Sequence, residues 1–172
     1  MTAEPITLAD APPSARFILR GREEALAAAA APLGTALPRT ACRAATAGSL
    51  AALWLGPDEF LLLAPEAAGP ALAARLAAAL EGHPHALVDV GHRQDGLVLS
   101  GPAATAVLNA GCPLDFDPAA FPLGMCTRTV LAKSEIVLWR QGAERFWIET
   151  MRSFLPYVRG VLDVAARDHR TP

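Results

Sequence analysis

The stretch S-L-A-A-L-W-L-G-P-D-E-F-L-L-L-A, Ser49–Ala64, decides the fold class. Two apolar runs flank Gly56-Pro57-Asp58-Glu59. Proline presets φ for a turn and aspartate suits the next position, so the segment predicts a β-hairpin that turns at 56–59. Its strands are apolar on both faces, which makes at least one of them central in a sheet. Pro70–Gly82, P-A-L-A-A-R-L-A-A-A-L-E-G, then reads as a helix. Leu72, Leu76 and Leu80 form one stripe at i, i+4 and i+8, and Gly82 closes it. A hairpin followed by a helix is an antiparallel plan rather than a parallel one.

Outward from this unit the alternation continues. Towards the N-terminus, Arg16–Arg20 predicts a short strand. Gly21 introduces R-E-E-A-L-A-A-A-A-A, a helix with acids in its first turn, stopped by Pro32 and Gly34. Residues 1–14 hold three prolines and read as an extended arm. Towards the C-terminus, Ala86–Pro102 predicts a strand, a polar crossing and a second strand. Pro102 opens a short helix that Gly111 ends. Cys112–Pro122, with three prolines, is an ordered connector. Arg128–Ala132, Glu135–Arg140 and Arg145–Met151 predict three strands, with a turn at 141–144. A last helix begins at Ser153, read as its N-cap, with Leu155, Val158, Leu162 and Ala165 inward and Arg159, Asp163 and Arg167 towards water. The order β-α-β-β-α-β-β-α-β-β-β-α is an α+β fold of mainly antiparallel sheets packed with helices. It predicts one domain over residues 15–168, with two sub-lobes near 15–85 and 86–168.

The chain has 172 residues, enough to bury roughly 70% of the surface its unfolded form exposes. Hydrophobic residues make up 52%, much of it alanine, and charged residues 19%. A net charge of −2 argues against a dedicated nucleic-acid binder, because neutralising phosphates needs a basic surface. No apolar run is long enough to span a membrane, and the first ten residues do not read as a signal peptide. Cys42, Cys112 and Cys126 are too few and too widely spaced for a disulfide framework or a zinc knuckle. These features predict a reduced, cytoplasmic protein.

Four groupings carry possible chemistry. His83-Pro84-His85 places two imidazoles at i, i+2, and His92 or Asp89 could complete a metal set, but the spacing matches no two-plus-two zinc pattern. Asp89-Val90-Gly91-His92-Arg93 combines an acid, a general base and a cation without a nucleophile elbow nearby, and reads as a strand end that contacts solvent or another chain. Ser100-Gly101-Pro102 opens a helix but lacks both the P-loop lysine and the dinucleotide glycine spacing. In Phe121–Arg140, Cys126 has Arg128 near enough to lower its pKa. Strand alternation nevertheless puts Cys126, Arg128 and Val130 on one face and Thr127, Thr129 and Leu131 on the other, which makes the cysteine structural and leaves Arg128 as the outward contact. Trp54, Trp139 and Trp147 fall inside strands and read as core or interface mass.

Three blocks carry a family resemblance. They are W-L-G-P-D-E-F-L-L-L-A (Trp54–Ala64), V-D-V-G-H-R-Q-D-G-L-V-L-S-G-P-A-A-T-A-V-L (Val88–Leu108) and N-A-G-C-P-L-D-F-D-P-A-A-F-P-L-G-M-C-T-R-T-V-L-A-K (Asn109–Lys133). With E-I-V-L-W-R at 135–140 and R-S-F-L-P-Y-V at 152–158, the chain resembles the gamma subunit of heterotetrameric sarcosine oxidase. It is also similar to the wider folate-binding group related to the aminomethyltransferase of glycine cleavage.

The resemblance implies that aminomethyltransferase-like fold and a complex with alpha, beta and delta chains. Such a complex demethylates sarcosine oxidatively to glycine and hydrogen peroxide, and the methyl carbon leaves as methylene-tetrahydrofolate or formaldehyde. It further implies that FAD, FMN, NAD, zinc and tetrahydrofolate are held by the other subunits, that this chain binds none of them, and that it has no catalytic residue of its own. His92, Arg93 and Arg128 are then the expected partner contacts. Leu123–Thr129, L-G-M-C-T-R-T, departs from the Lys-Gly-Cys-Tyr motif of the iron–sulfur assembly branch. No acid matches the folate-anchoring aspartate of the transferases. A stand-alone folate-binding, aminomethyltransferase-like protein, anchoring a pterin through Asp89 or Asp95, is the alternative.

Overall fold

The computed structural model describes residues 6–169. In chain order the elements are β1 (Thr7–Asp10), β2 (Ser14–Gly21), α1 (Glu23–Ala28), α2 (Ala30–Leu33), β3 (Ala44–Ala47), β4 (Leu50–Gly56), β5 (Glu59–Pro65), α3 (Gly69–Leu80), β6 (His85–Asp89), β7 (Gln94–Ser100), α4 (Ala104–Asn109), β8 (Cys126–Leu131), β9 (Ser134–Gly142), β10 (Arg145–Met151) and α5 (Leu155–Ala166). They form two antiparallel five-stranded sheets with helices, an α+β architecture. The chain divides into two compact units, Pro12–His92 and Met1–Ala11 with Arg93–Pro172.

In the Pro12–His92 unit the sheet order is β3-β4-β5-β2-β6. The β4–β5 hairpin turns at Pro57-Asp58, with Gly56 opposite Glu59, as the sequence predicts. Leu72, Leu76 and Leu80 of α3 are all buried, in one cluster with Phe17, Leu19 and Phe60. Burying a leucine fully contributes about 1.5–3 kcal/mol, so this stripe is a main anchor of α3 on the sheet. α3 also sits close, because a Cβ added at Gly69 would lie 2.6 Å from the Cβ of Ala15.

The first helix departs from expectation at Pro32, which lies inside α2 rather than ending the helix. Proline has no N–H for the Ala28 carbonyl, so the continuous helix breaks at Ala29 into α1 and α2. Gly34, at φ 71°, makes the actual stop in the left-handed region. β3, A-A-T-A, is a further strand that its low β-propensity concealed.

In the other unit the order is β1-β7-β10-β9-β8. The 1–14 segment is therefore not simply an arm. Thr7–Asp10 pairs with β7, Leu8 opposite Leu99, and the segment's first five residues lie outside the described ones. Leu97, Leu99, Ile136, Leu138, Phe146 and Ile148 face the inner side of α4 and α5, where Val107, Leu108, Val158 and Leu162 are buried. β6 and β7, adjacent in sequence, join different sheets: β6 pairs with β2, and β7 with β1 and β10.

α5 begins at Leu155, after a 3₁₀ turn over Arg152–Phe154, so Ser153 lies in that turn and is not the N-cap. The turn is tied down by Arg152, whose N–H donates to the Arg93 carbonyl at 2.9 Å. The 112–125 connector is ordered by Arg140. Its buried guanidinium donates through Nη1 to the carbonyls of Phe116 (3.1 Å) and Phe121 (2.7 Å), and through Nη2 to that of Ala143 (2.7 Å). It also lies 5.3 Å from the Phe146 ring centroid.

Candidate partner-binding surface

The polar groupings read from the sequence are held in local contacts. The His85 imidazole donates through Nδ1 to the His83 carbonyl at 2.7 Å, and His83 Nδ1 lies 4.0 Å from Glu24 Oε2. Among the described residues no three His, Cys, Asp or Glu side chains are grouped so that they could hold a metal ion. Asp89 Oδ1 accepts the Gly91 N–H at 2.8 Å, and Asp95 Oδ1 accepts the Gly96 N–H at 2.9 Å. Both carboxylates thus shape the β6–β7 crossing. Cys126 is fully buried, opposite Trp139, and Cys112 Sγ lies 3.7 Å from Thr129 Oγ1.

The three expected contact residues are all exposed, but they do not form one cluster. His92 and Arg93 are neighbours on the turn after β6, where an Arg93 Nη2–H points to Met151 Sδ at 3.9 Å. Arg128 is on β8, the opposite edge strand from β1. Three strand-to-strand steps separate β7 from β8, which is about 14 Å across the sheet. A partner touching both Arg93 and Arg128 must therefore cover much of that unit's width.

Two concavities lie in the same unit. One, of ≈ 480 Å³, is bounded by Thr105, Asn109, Asp115, Asp117, Arg140 and Glu144. Three of its charged groups are already engaged: Arg140 by carbonyls, Asp115 Oδ1 by the Asp117 N–H at 2.9 Å, and Asp117 Oδ1 by the Ala119 N–H at 2.8 Å. The second, of ≈ 550 Å³, is a groove along α5 bounded by Ala110, Pro156, Tyr157, Gly160, Val161 and Val164. Tyr157 and Val164 are 39% and 57% exposed, unusual for large apolar side chains on an ordered helix. The Tyr157 hydroxyl accepts the Lys133 N–H at 3.3 Å, which ties the β8–β9 hairpin tip to α5.

This groove has no counterpart in the sequence reading, which gave α5 a single apolar stripe. The signal was present: Tyr157, Gly160, Val161 and Val164 recur at i, i+3, i+4 and i+7 beside the inner stripe. A helix apolar over that wide an arc has one face for its own core and a second for something else.

A sequence profile described as "Sarcosine oxidase, gamma subunit family" matches residues 21–168. The chain belongs to the sarcosine oxidase gamma subunit family. It is 46% identical over 123 residues to sarcosine oxidase subunit gamma of Arthrobacter sp, which is 71% of this chain and 60% of that one. It is 44% identical over 131 residues to the Corynebacterium sp. (strain P-1) subunit gamma, covering 74% of this chain and 63% of that one. The matched region thus spans under two thirds of these relatives' length. Among solved structures, a chain of heterotetrameric sarcosine oxidase from Corynebacterium sp. U-96, in complex with pyrrole 2-carboxylate, superposes with a TM-score of 0.88 at 33% identity. That match covers 97% of this chain and 87% of that one. The glycine cleavage system aminomethyltransferase T from Bartonella henselae shares the fold, with a TM-score of 0.71 at 18% identity over 95% of this chain and 49% of that one. The aminomethyltransferase-like architecture expected from the sequence is the one observed.

Proposed function

We propose that this chain is an accessory, non-catalytic gamma subunit of a flavin-dependent heterotetrameric sarcosine oxidase, assembled with alpha, beta and delta chains. The complex converts sarcosine to glycine and hydrogen peroxide, passing the methyl carbon to tetrahydrofolate or releasing it as formaldehyde. FAD, FMN, NAD, zinc and tetrahydrofolate belong to the other chains. The observation that carries this reading is the near-complete backbone likeness to one chain of the heterotetrameric enzyme. Two features support it. Asp89, Asp95 and His85 serve local hydrogen bonds, and α5 turns an apolar face outward. Three free cysteines fit a reducing, cytoplasmic setting.

In this reading His92, Arg93 and Arg128 are polar contacts to the partner chains. Co-expression of the four chains with a tag on this one tests the proposal. The expected result is a stoichiometric complex by native mass spectrometry, with weaker recovery of the alpha chain for Arg128→Ala. Recovery of this chain alone would refute it. Calorimetry with tetrahydrofolate separates the stand-alone transferase: no heat is expected from the isolated chain, and tight binding would favour that rival.

A further inference from the structure

We infer that β1 is an exchangeable strand: the strip beside β7 that holds residues 6–11 takes the same residues of a second copy of this chain, giving a strand-swapped dimer when the oxidase partners are absent. This stands apart from the subunit reading, and its failure would leave that reading intact. The occupant of the strip is already seated in the structure. Thr7 to Asp10 pair with Ser100 to Leu97, and the Ala11 N–H extends the ladder to the Gly96 carbonyl at 2.9 Å. Ile6, 2% exposed, lies in one core cluster with Leu97 and Leu99, and Leu8 packs against that cluster. Asp10 is ion-paired with Arg159 of α5. Each of these contacts joins residues 6–11 to residues after Arg93, so the β1 of a second copy would remake them all. With the contacts equal in both forms, the balance is set by the cost of association and therefore by protein concentration.

The linker after β1 makes exchange accessible. β1 has no sequence neighbour in its own sheet: the chain leaves it through Ala11-Pro12-Pro13 and continues as β2 in the other sheet. Ala11 is bonded to Gly96 beside β7, and two residues later the Pro13 carbonyl accepts the Glu66 N–H at 3.1 Å. A hinge fixed at both ends leaves Pro12 alone to make the change of sheet, and hinges this short invite swapping. Both prolines lack an N–H, and each holds the residue before it in extended backbone, so the hinge has no slack to take up. Its own hydrogen bond, from the Ser14 hydroxyl to the Pro12 carbonyl at 2.7 Å, is local and survives exchange. By contrast β8, the other edge of the same sheet, is joined to β9 by a two-residue turn and cannot leave without it.

The test uses the full chain carrying Cys42→Ser, which removes the native thiol that is not buried. After incubation at about 1 mM in mild urea, size exclusion with light scattering should show a dimer beside the monomer. Adding Thr7→Cys/Ser100→Cys puts a thiol on each side of the ladder at paired positions. Oxidation should then bridge two chains covalently in the dimer fraction and close one chain on itself in the monomer fraction. Asp10→Arg and Arg159→Asp each set like charges together, but a heterodimer of the two variants restores an opposite pair at both strips. Mixing them should enrich that heterodimer about 5-fold over either homodimer. Inserting Gly-Ser-Gly-Ser between Pro12 and Pro13 gives the hinge slack and should cut the dimer fraction at least about 10-fold. Absence of a dimer at that concentration would overturn the inference, as would a dimer fraction whose Thr7→Cys/Ser100→Cys bridges all lie within single chains, or one that the lengthened hinge leaves undiminished.

Discussion

Replacing Arg140 with methionine tests how the proline-rich connector is held. The side-chain stem is preserved and the guanidinium is lost. Arg140 is 5% exposed, and its donors reach four carbonyls: Phe116, Phe121, Ala143 and, more weakly at 3.4 Å, Gly142. The last two lie on the β9–β10 turn, which water can reach, so their loss counts for little. Phe116 and Phe121 are buried, and each carbonyl left without a donor costs about 1–3 kcal/mol. The contact with the Phe146 ring adds about 0.5–1 kcal/mol. The sum is about 4 kcal/mol, which for a chain of this size lowers the melting temperature by about 12 °C. Calorimetric unfolding reads the total. Hydrogen exchange locates it, because the amides of Phe121 and Met125, bonded to Asp117 and Pro122 carbonyls, should lose protection before those of β9. Arg140→Lys should recover less than half, since an ammonium cannot reproduce the planar fork. A shift under about 3 °C for Arg140→Met, with connector exchange unchanged, would refute the reasoning.

Two further substitutions probe backbone fit. Gly69→Ala drives a methyl into Ala15, and overpacking of this kind should destabilise the chain by about 2 kcal/mol in urea titration; a neutral result would mean that α3 can slide on the sheet. Ala132→Gly relieves a non-glycine residue at φ 51° in the two-residue β8–β9 turn, and should stabilise by about 0.5–1 kcal/mol, read as a melting temperature about 2 °C higher; a decrease would show that the turn is not strained.

Local signals made most elements legible. Gly56-Pro57-Asp58 gave the hairpin, the leucine stripe gave α3, and Pro102 with Gly111 bracketed α4. What stayed hidden depends on contacts distant in sequence. The strand β1 exists because Thr7–Asp10 finds β7 some ninety residues later. In β3, A-A-T-A is extended only because β4 holds it. The separation of β6 and β7 into two sheets follows from partners at β2 and β10, which adjacency in the chain does not announce. Arg140 looked like the end of a strand, and its four carbonyls come from segments 2–24 residues away. At the surface, exposure of His92 and Arg93 was readable from their place just after a strand, whereas Arg128 lies within β8. The α5 groove was equally readable by spacing, as a second apolar stripe at 157, 160, 161 and 164 beside the inner one.

The central claim is that this chain shapes an oxidase whose bond-making lies on other chains. Sarcosine-dependent peroxide production tests it most directly, measured side by side for the isolated chain, the full co-expressed complex and the complex made without this chain. The account predicts none from the isolated chain, full turnover from the complete complex, and a marked loss when this chain is withheld. Peroxide from the isolated chain at a rate near that of the complete complex would contradict it.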